Sequence, residues 1–527
     1  MEKKPISEIY HQETKYNEAE MEKHQKPLDW TSTPSPFKTY HSDKKLNLMP
    51  YLPFKNNPFT GAPMASVKEE RYAPGLESVS RLLYFTNGVT GILKYPHGQS
   101  VVLRAAPTAG GLYPTEIYLA IRKMSNVKDG IYNFQVRDHS IIPVWEGNFW
   151  DKVTQYCLGH DALAQSNLLM IMTSVYQRSV WRYHERAYRR ILLDTGHVLG
   201  NVVAYAPEEG YVPYPIGGFI DHFLNRLLFL DESKEGVLMV IALPQRKHLD
   251  SEKIHSTPTA KSQDKQVEEA IIPKLLHRLH QTSSILPVRN KQKPPSGDTE
   301  GGCSDLEMAP AATGHPLKNP AHPGTAGKES TLMPSFPIDW KNGVGQTILL
   351  RRSARVFSGE ALLKEELASI LEYAYLPLKY HPPPLFDPSL LETYLVVQKV
   401  IGLGEGIYHY APRERAFSLV RQGDYRKHTW HFCLGQILAR DAAALVIHVA
   451  HLKKALQRHG DRAYRYLHLD AGHIGERMNL AAIKLQLGVS GIGGFYDDEV
   501  NTLLGLSLDK IIVYITTLGR PHIGEES

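Results

Sequence analysis

The sequence predicts an α+β fold built twice. Three observations lead there. Segments recur in one unbroken register, 276 positions apart, as Gly130 and Gly406 illustrate. Strand-like and helical runs are mixed in each copy without the regular alternation of a doubly wound sheet. A stretch rich in Pro, Gly and small polar residues separates the copies.

The register holds throughout. "GIYNF" at Gly130 falls on "GIYHY" at Gly406, "EGNFW" at Glu146 on "QGDYR" at Gln422, and "CLGH" at Cys157 on "CLGQ" at Cys433. "RAYRRILLDTGH" at Arg186 falls on "RAYRYLHLDAGH" at Arg462, and "IGGF" at Ile216 on "IGGF" at Ile492. In chain order, "LESVSRLLYFT" and "KEELASILEYAY" carry apolar residues at helical spacing. "TEIYLAIR", "LLMIMTSV" and "GVLMVIAL", with partners "ETYLVVQ", "AALVIHVA" and "IIVYITTL", are β-rich runs of strand length. Residues 186–206 and 462–482 each read as one long helix, in which Gly196 and Gly472 imply close helix–helix approach. "VEEAIIPKLLHRLHQ" predicts a short helix interrupted at Pro273. The expected organisation is an N-terminal extension (1–27), a first domain (28–248), a largely flexible linker (249–335) and a second domain (336–527).

Bulk composition narrows the class. A chain of 527 residues is too long for one core. A net charge of +5 makes no case for nucleic acid but suits an anionic cofactor. Three cysteines (Cys157, Cys303, Cys433) form neither a disulfide framework nor a CxxC zinc pattern, which points to a reducing, cytoplasmic setting. The charged N-terminus lacks the apolar core of a signal peptide, and no run is long and apolar enough to read as a membrane span. His197 and His473 lie in the long helices with no second ligand at i+4, so they read as packed interface histidines and no metal is expected. Asp194 and Asp470 read as bonded within the helix pair.

Two stretches could carry chemistry. Arg351, Arg352, Ser353 and Arg355 in "LLRRSARVF" offer guanidinium forks and a hydroxyl suited to a phosphate; a solvated basic turn is the other reading. Pro107, Thr108, Ala109, Gly110 and Gly111 in "RAAPTAGG" are small and turn-forming, either to let backbone approach a planar ligand or simply to connect into a strand. In the second copy "PTAGG" has become "PPLFD".

These residues, with "YHQETKY", "RAYRRILLDTGHVLGN" and "PIGGF" in the first copy and "RRSARVF", "RAYRYLHLDAGH" and "GIGGFYDDEV" in the second, resemble the FMN-dependent nitroreductase superfamily. The resemblance covers nearly all of both repeats and is nearest to the SagB-type, thiazoline/oxazoline dehydrogenase-like branch in tandem form. It implies two nitroreductase-like α+β domains folded as an intramolecular pseudo-dimer, with FMN at their interface. By the same resemblance, Arg351, Arg352, Ser353, Arg355, Gly493 and Gly494 of the second repeat and Pro107 to Gly110 of the first would build one FMN site, with Arg520 a further phosphate ligand. The symmetry-related site would lack both halves, giving one flavin per chain.

The branch implies dehydrogenation of an azoline-like heterocycle in a ribosomally made peptide, beside a cyclodehydratase complex. Relatives place a Lys-Tyr pair at Arg182-Tyr183 and Arg458-His459. Arginine is a poor base, so Tyr183 or His459 is the candidate proton carrier, with Arg182 as an anion binder; surface residues at a helix start are the other reading. The alternatives are an NAD(P)H-dependent nitro or quinone reductase acting on small molecules, and a non-catalytic, FMN-binding or flavin-free scaffold of a peptide-modifying complex. Further oligomerisation of the tandem chain stays open.

Overall fold

The computed structural model describes residues 4–23, 28–54, 75–94, 100–245, 257–258, 270–286, 330–332, 334–340, 343–379, 383–507 and 509–522. Each half is organised around one antiparallel sheet. The first contains β1 (Leu46–Asn47), β2 (Thr115–Ile121), β3 (Gly130–Gln135), β4 (Ser140–Glu146), β5 (Ser166–Val175), β6 (Tyr214–Ile216) and β7 (Glu235–Pro244), in the order β1-β4-β3-β2-β5-β7-β6. The second contains β8 (Ser330–Leu332), β9 (Leu391–Val397), β10 (Gly406–Ala411), β11 (Ala416–Gln422), β12 (Ala444–His451), β13 (Gly488–Ile492) and β14 (Lys510–Gly519), in the order β8-β11-β10-β9-β12-β14-β13. The two orders are the same. Even the register repeats, with Tyr118 opposite Asn133 and Ile171, and Tyr394 opposite His409 and Ile447. The central strands are buried from end to end because both faces are covered, which is why they read as continuous apolar runs.

The helices that carry the argument are α1 (Ile6–Glu13), α2 (Tyr176–Tyr183), α3 (Ala187–Tyr205), α4 (Lys274–Thr282), α5 (Leu452–His459) and α6 (Ala463–Lys484). Helices α3 and α6 cross at Gly196 and Gly472. A Cβ on Gly196 would lie 2.4 Å from the Leu469 carbonyl oxygen, and one on Gly472 2.3 Å from that of Leu193. Glycine is required there because backbone meets backbone. Leu192 and Leu199 of α3 belong to the same buried core as Leu469 and Leu480 of α6, so the halves share a core and form a pseudo-dimer within one chain.

Two matching ionic clamps close this interface. Asp497 follows the second "GGF" and accepts from Arg186 Nη1 (2.7 Å), Arg189 Nη1 (2.6 Å) and the Tyr16 amide (3.2 Å). Asp221 follows the first and accepts from Arg462 Nη1 (2.7 Å), Arg465 Nη1 (2.6 Å) and the Ile285 amide (2.8 Å). Arg189 also donates to the His11 carbonyl and Arg465 to that of His280. Burial alone would raise the Asp497 carboxyl, but Arg186 and Arg189 outweigh it and hold it well below its usual range. Thus α4, within the stretch that the sequence reads as linker, repeats the packing of α1. Its helix begins directly after Pro273, where proline is tolerated. The match runs at an offset of 269 (Tyr16 to Ile285) rather than 276, which hides it from a single-register reading.

Candidate active site

A cavity of about 980 Å³ opens at the interface between the halves. The first half lines it with the loop Pro107–Gly111, with Arg182 and Tyr183 at the end of α2, and with Arg190 and Asp194 on α3. The second half supplies Ser353, Arg355, Leu434, Gln436, Asn479 and the run Ser490–Gly494, and the N-terminal segment adds Thr14 to Tyr16.

Local chemistry fixes each wall. The loop is held by Asp194, whose carboxylate accepts from the Ala109 amide (3.1 Å) and the Thr108 hydroxyl. Gly110 and Gly111 follow at φ +68° and +73°, a conformation that favours glycine. Asp194 is therefore a loop anchor, and its expected bonds within the helix pair are replaced by bonds to the Ala109 amide and the Thr108 hydroxyl of an adjacent loop. Burial pushes its carboxyl up to about 7, against the bonds from Thr108 and Ala109 and the nearby Arg190. Arg190 lies across Gly493, where a Cβ would come within 1.3 Å of its Nη1, so a side chain here would displace the guanidinium. The Arg190 guanidinium is 5.0 Å from the Tyr183 ring centre, and its buried Nε has no hydrogen-bond partner among the described residues. Burial raises the Tyr183 phenol despite Arg190 and Arg182 beside it, so the side chain stays protonated.

The symmetry-related place is filled by the chain itself. Phe386 stands where the loop has Gly110, and Tyr466 where α3 has Arg190. Their rings stack with centres 5.1 Å apart, directly over Gly217, the counterpart of Gly493. Asp470 holds this loop as Asp194 holds the other, accepting from the Phe386 and Asp387 amides at 2.9 Å each. The Asp-to-loop anchor occurs in both halves and the arginine in one. The anchor is architecture, whereas Arg190 belongs to the open site alone.

The structure brings Pro107, Thr108, Ala109, Gly110, Arg182, Tyr183, Ser353, Arg355, Gly493 and Gly494 around this cavity. Four other candidates lie elsewhere. Arg351 is buried and donates to the Ala105 (3.0 Å) and Arg104 (3.3 Å) carbonyls, and Arg352 donates to that of Thr90 (3.1 Å); both grip first-half backbone. Arg520 is paired with Glu366 at 2.9 Å. His459 Nε2 donates to the Asp387 carboxylate (2.8 Å) beside the filled place. Arg190, Gln436, Asn479 and Ser490 were not singled out by the sequence; only Arg190 left a signal there, as the one difference between "RAYRR" and "RAYRY". His197 bonds the Leu193 carbonyl (2.8 Å) through Nδ1 and the Tyr514 hydroxyl (3.1 Å) through Nε2, as a packed interface histidine does. Among the described residues no helix is long and apolar enough to cross a membrane.

Comparison with known proteins agrees with this architecture. The chain is 37% identical to a crystallographically solved nitroreductase-like protein of Anabaena variabilis, with a TM-score of 0.79 over 99% of this chain and all of that one. It is 29% identical over 161 residues to a protein of Methanocaldococcus jannaschii classed as a nitroreductase, covering 30% of this chain and 81% of the relative. It is also 23% identical over 145 residues to the microcin B17-processing protein McbC of Escherichia coli, covering 26% of this chain and 53% of McbC. The nitroreductase family model matches residues 76–243 and again 348–520, and the chain belongs to that family of oxidoreductases, in tandem form.

Proposed function

We propose that the chain is an FMN-dependent oxidoreductase with one flavin site, assembled from both halves. The observation that carries this reading is Arg190, a nearly buried guanidinium with an unpartnered Nε, laid across Gly493 in a glycine-walled cavity. FMN fits this donor set. Its phosphate suits Ser353 and Arg355 at the second-half wall, its ring carbonyls suit Arg190, and its flat face suits the loops Pro107–Gly110 and Gly493–Gly494. Bound FMN supplies two-electron chemistry by hydride transfer at N5. Within the chain, Tyr183 holds a proton beside Gly110, and the Arg182 guanidinium orients an anionic group rather than acting as a base.

The resemblance to SagB-type dehydrogenases, with the similarity to a microcin-processing protein, supports dehydrogenation of an azoline-like heterocycle in a ribosomally made peptide, beside a cyclodehydratase partner. Tyr183 favours a second reading, an NAD(P)H-dependent nitro or quinone reductase. A phenol kept protonated gives a proton, whereas azoline oxidation needs one removed.

The test is the flavin content of the purified chain. About one FMN per chain is expected. Retention should fall about tenfold in Arg355→Ala and in Arg190→Tyr, which copies the filled half, and should hold in Arg352→Ala. No flavin even after soaking with FMN sinks the proposal and leaves the scaffold reading. Rapid flavin reduction by NADPH then selects the reductase, and turnover of an azoline-bearing peptide selects the dehydrogenase.

A further inference from the structure

We propose that the open site has a carboxylate subsite at Arg182, and that its substrate is an organic acid with a planar or aromatic body. The inference rests on the cavity being the active site, as read above. The filled half displays what the equivalent position binds. Helices α2 and α5 both end in an arginine followed by a ring-bearing residue, Tyr183 or His459. Each is followed by a residue at positive φ, His184 at +46° and Gly460 at +57°. Arg182 and Arg458 therefore leave the backbone at equivalent places.

Arg458 has a carboxylate. Its Nη1 lies 2.7 Å from Asp387 Oδ2, and His459 Nε2 lies 2.8 Å from the same oxygen. Burial opposes ionisation of Asp387, but the bonds from His459, Ser389 and Arg458 prevail and hold its carboxyl down at about 2. Asp387 directly follows Phe386, whose ring stacks on Tyr466. The chain has thus placed a ring and an adjacent carboxylate of its own in the filled half, and an arginine receives the acid.

In the open half the same loop positions are Gly110 and Gly111. Ring and acid are gone, and the receiving arginine is kept. Arg182 has no carboxylate partner among the described residues. Its guanidinium sits 5.9 Å from the Trp30 ring centre and 5.8 Å from that of Tyr183, and its Cδ would lie 3.2 Å from a Cβ on Gly110. Of the acids that line the cavity, Asp194 is bonded to the loop, Glu185 Oε2 accepts from the Leu276 amide at 3.1 Å, and Glu13 forms no ion pair with Arg182. A carboxylate arriving at Arg182 would form the charge-assisted bond that the filled half already contains.

Calorimetric titration of the full FMN-loaded chain with 3-phenylpropanoate and with its neutral isostere 3-phenylpropanamide tests this. The acid is expected to bind about tenfold tighter or better. That preference should vanish in Arg182→Gln and persist in Arg458→Gln. Equal binding of acid and amide by the wild type, failure of the acid to bind at all, or a preference that survives Arg182→Gln overturns the subsite. So does a preference lost only in Arg458→Gln. The wild-type comparison needs no variant to fold. Flavin measured on every sample keeps the two readings apart: a flavin-free chain that still selects the acid upholds the subsite and sinks the cofactor.

Discussion

At the scale of single residues, the buried carboxyl of Asp194 makes a prediction about pH. Burial raises it to about 7, above its value of about 4 in an unfolded chain. The folded state therefore binds a proton that the unfolded state has released between those values. The stability that this contributes is present in full below about pH 4 and is lost as pH rises through about 7. Asp194→Asn keeps an acceptor for the Ala109 amide and puts an amide donor where the carboxylate accepts from the Thr108 hydroxyl. Thermal unfolding followed against pH should lose up to about 1.4 kcal/mol per pH unit of slope in that window in this variant. An unchanged profile would place the proton elsewhere. Residue identity was the least legible part of the sequence. Arg351 and Arg352 have the forks that a phosphate wants, but a backbone carbonyl wants the same forks, and only the fold decides which acceptor is in reach.

At the scale of elements, the strands and long helices were legible because fully covered strands and a packed helix pair leave strong apolar patterns. Gly196 and Gly472 were legible too, since a glycine inside a helix costs stability unless something must come close. Gly196→Ala would push a methyl group to within 2.4 Å of a carbonyl oxygen. It is expected to cost about 1–3 kcal/mol or more and lower Tm by several degrees. Gly218→Ala, whose added Cβ would have only Leu158 Cδ1 at 3.8 Å, should leave Tm unchanged. Equal melting of the two variants would mean that the helices separate easily. Helix α4 was read as a helix but not as the counterpart of α1. What the two share is a set of bonds made by their backbone carbonyls to paired arginines, and a carbonyl has no letter in the sequence.

At the scale of the whole molecule, the halves are joined by a common core and two clamps as well as by the covalent chain. A protease site inserted among residues 290–325 and then cut should leave one species in size-exclusion chromatography, with its flavin content unchanged. Separation of the fragments would mean that the covalent connection, not the clamps, holds the pseudo-dimer. The stack of Phe386 on Tyr466 has one more consequence. In a dimer of identical chains every substitution strikes both sites together, so a change that improves one reaction must be tolerated twice. Here the two faces are encoded separately. Tyr466 and Phe386 could arise without disabling the opposite face, and that face can now accumulate changes one at a time while its twin keeps the scaffold intact.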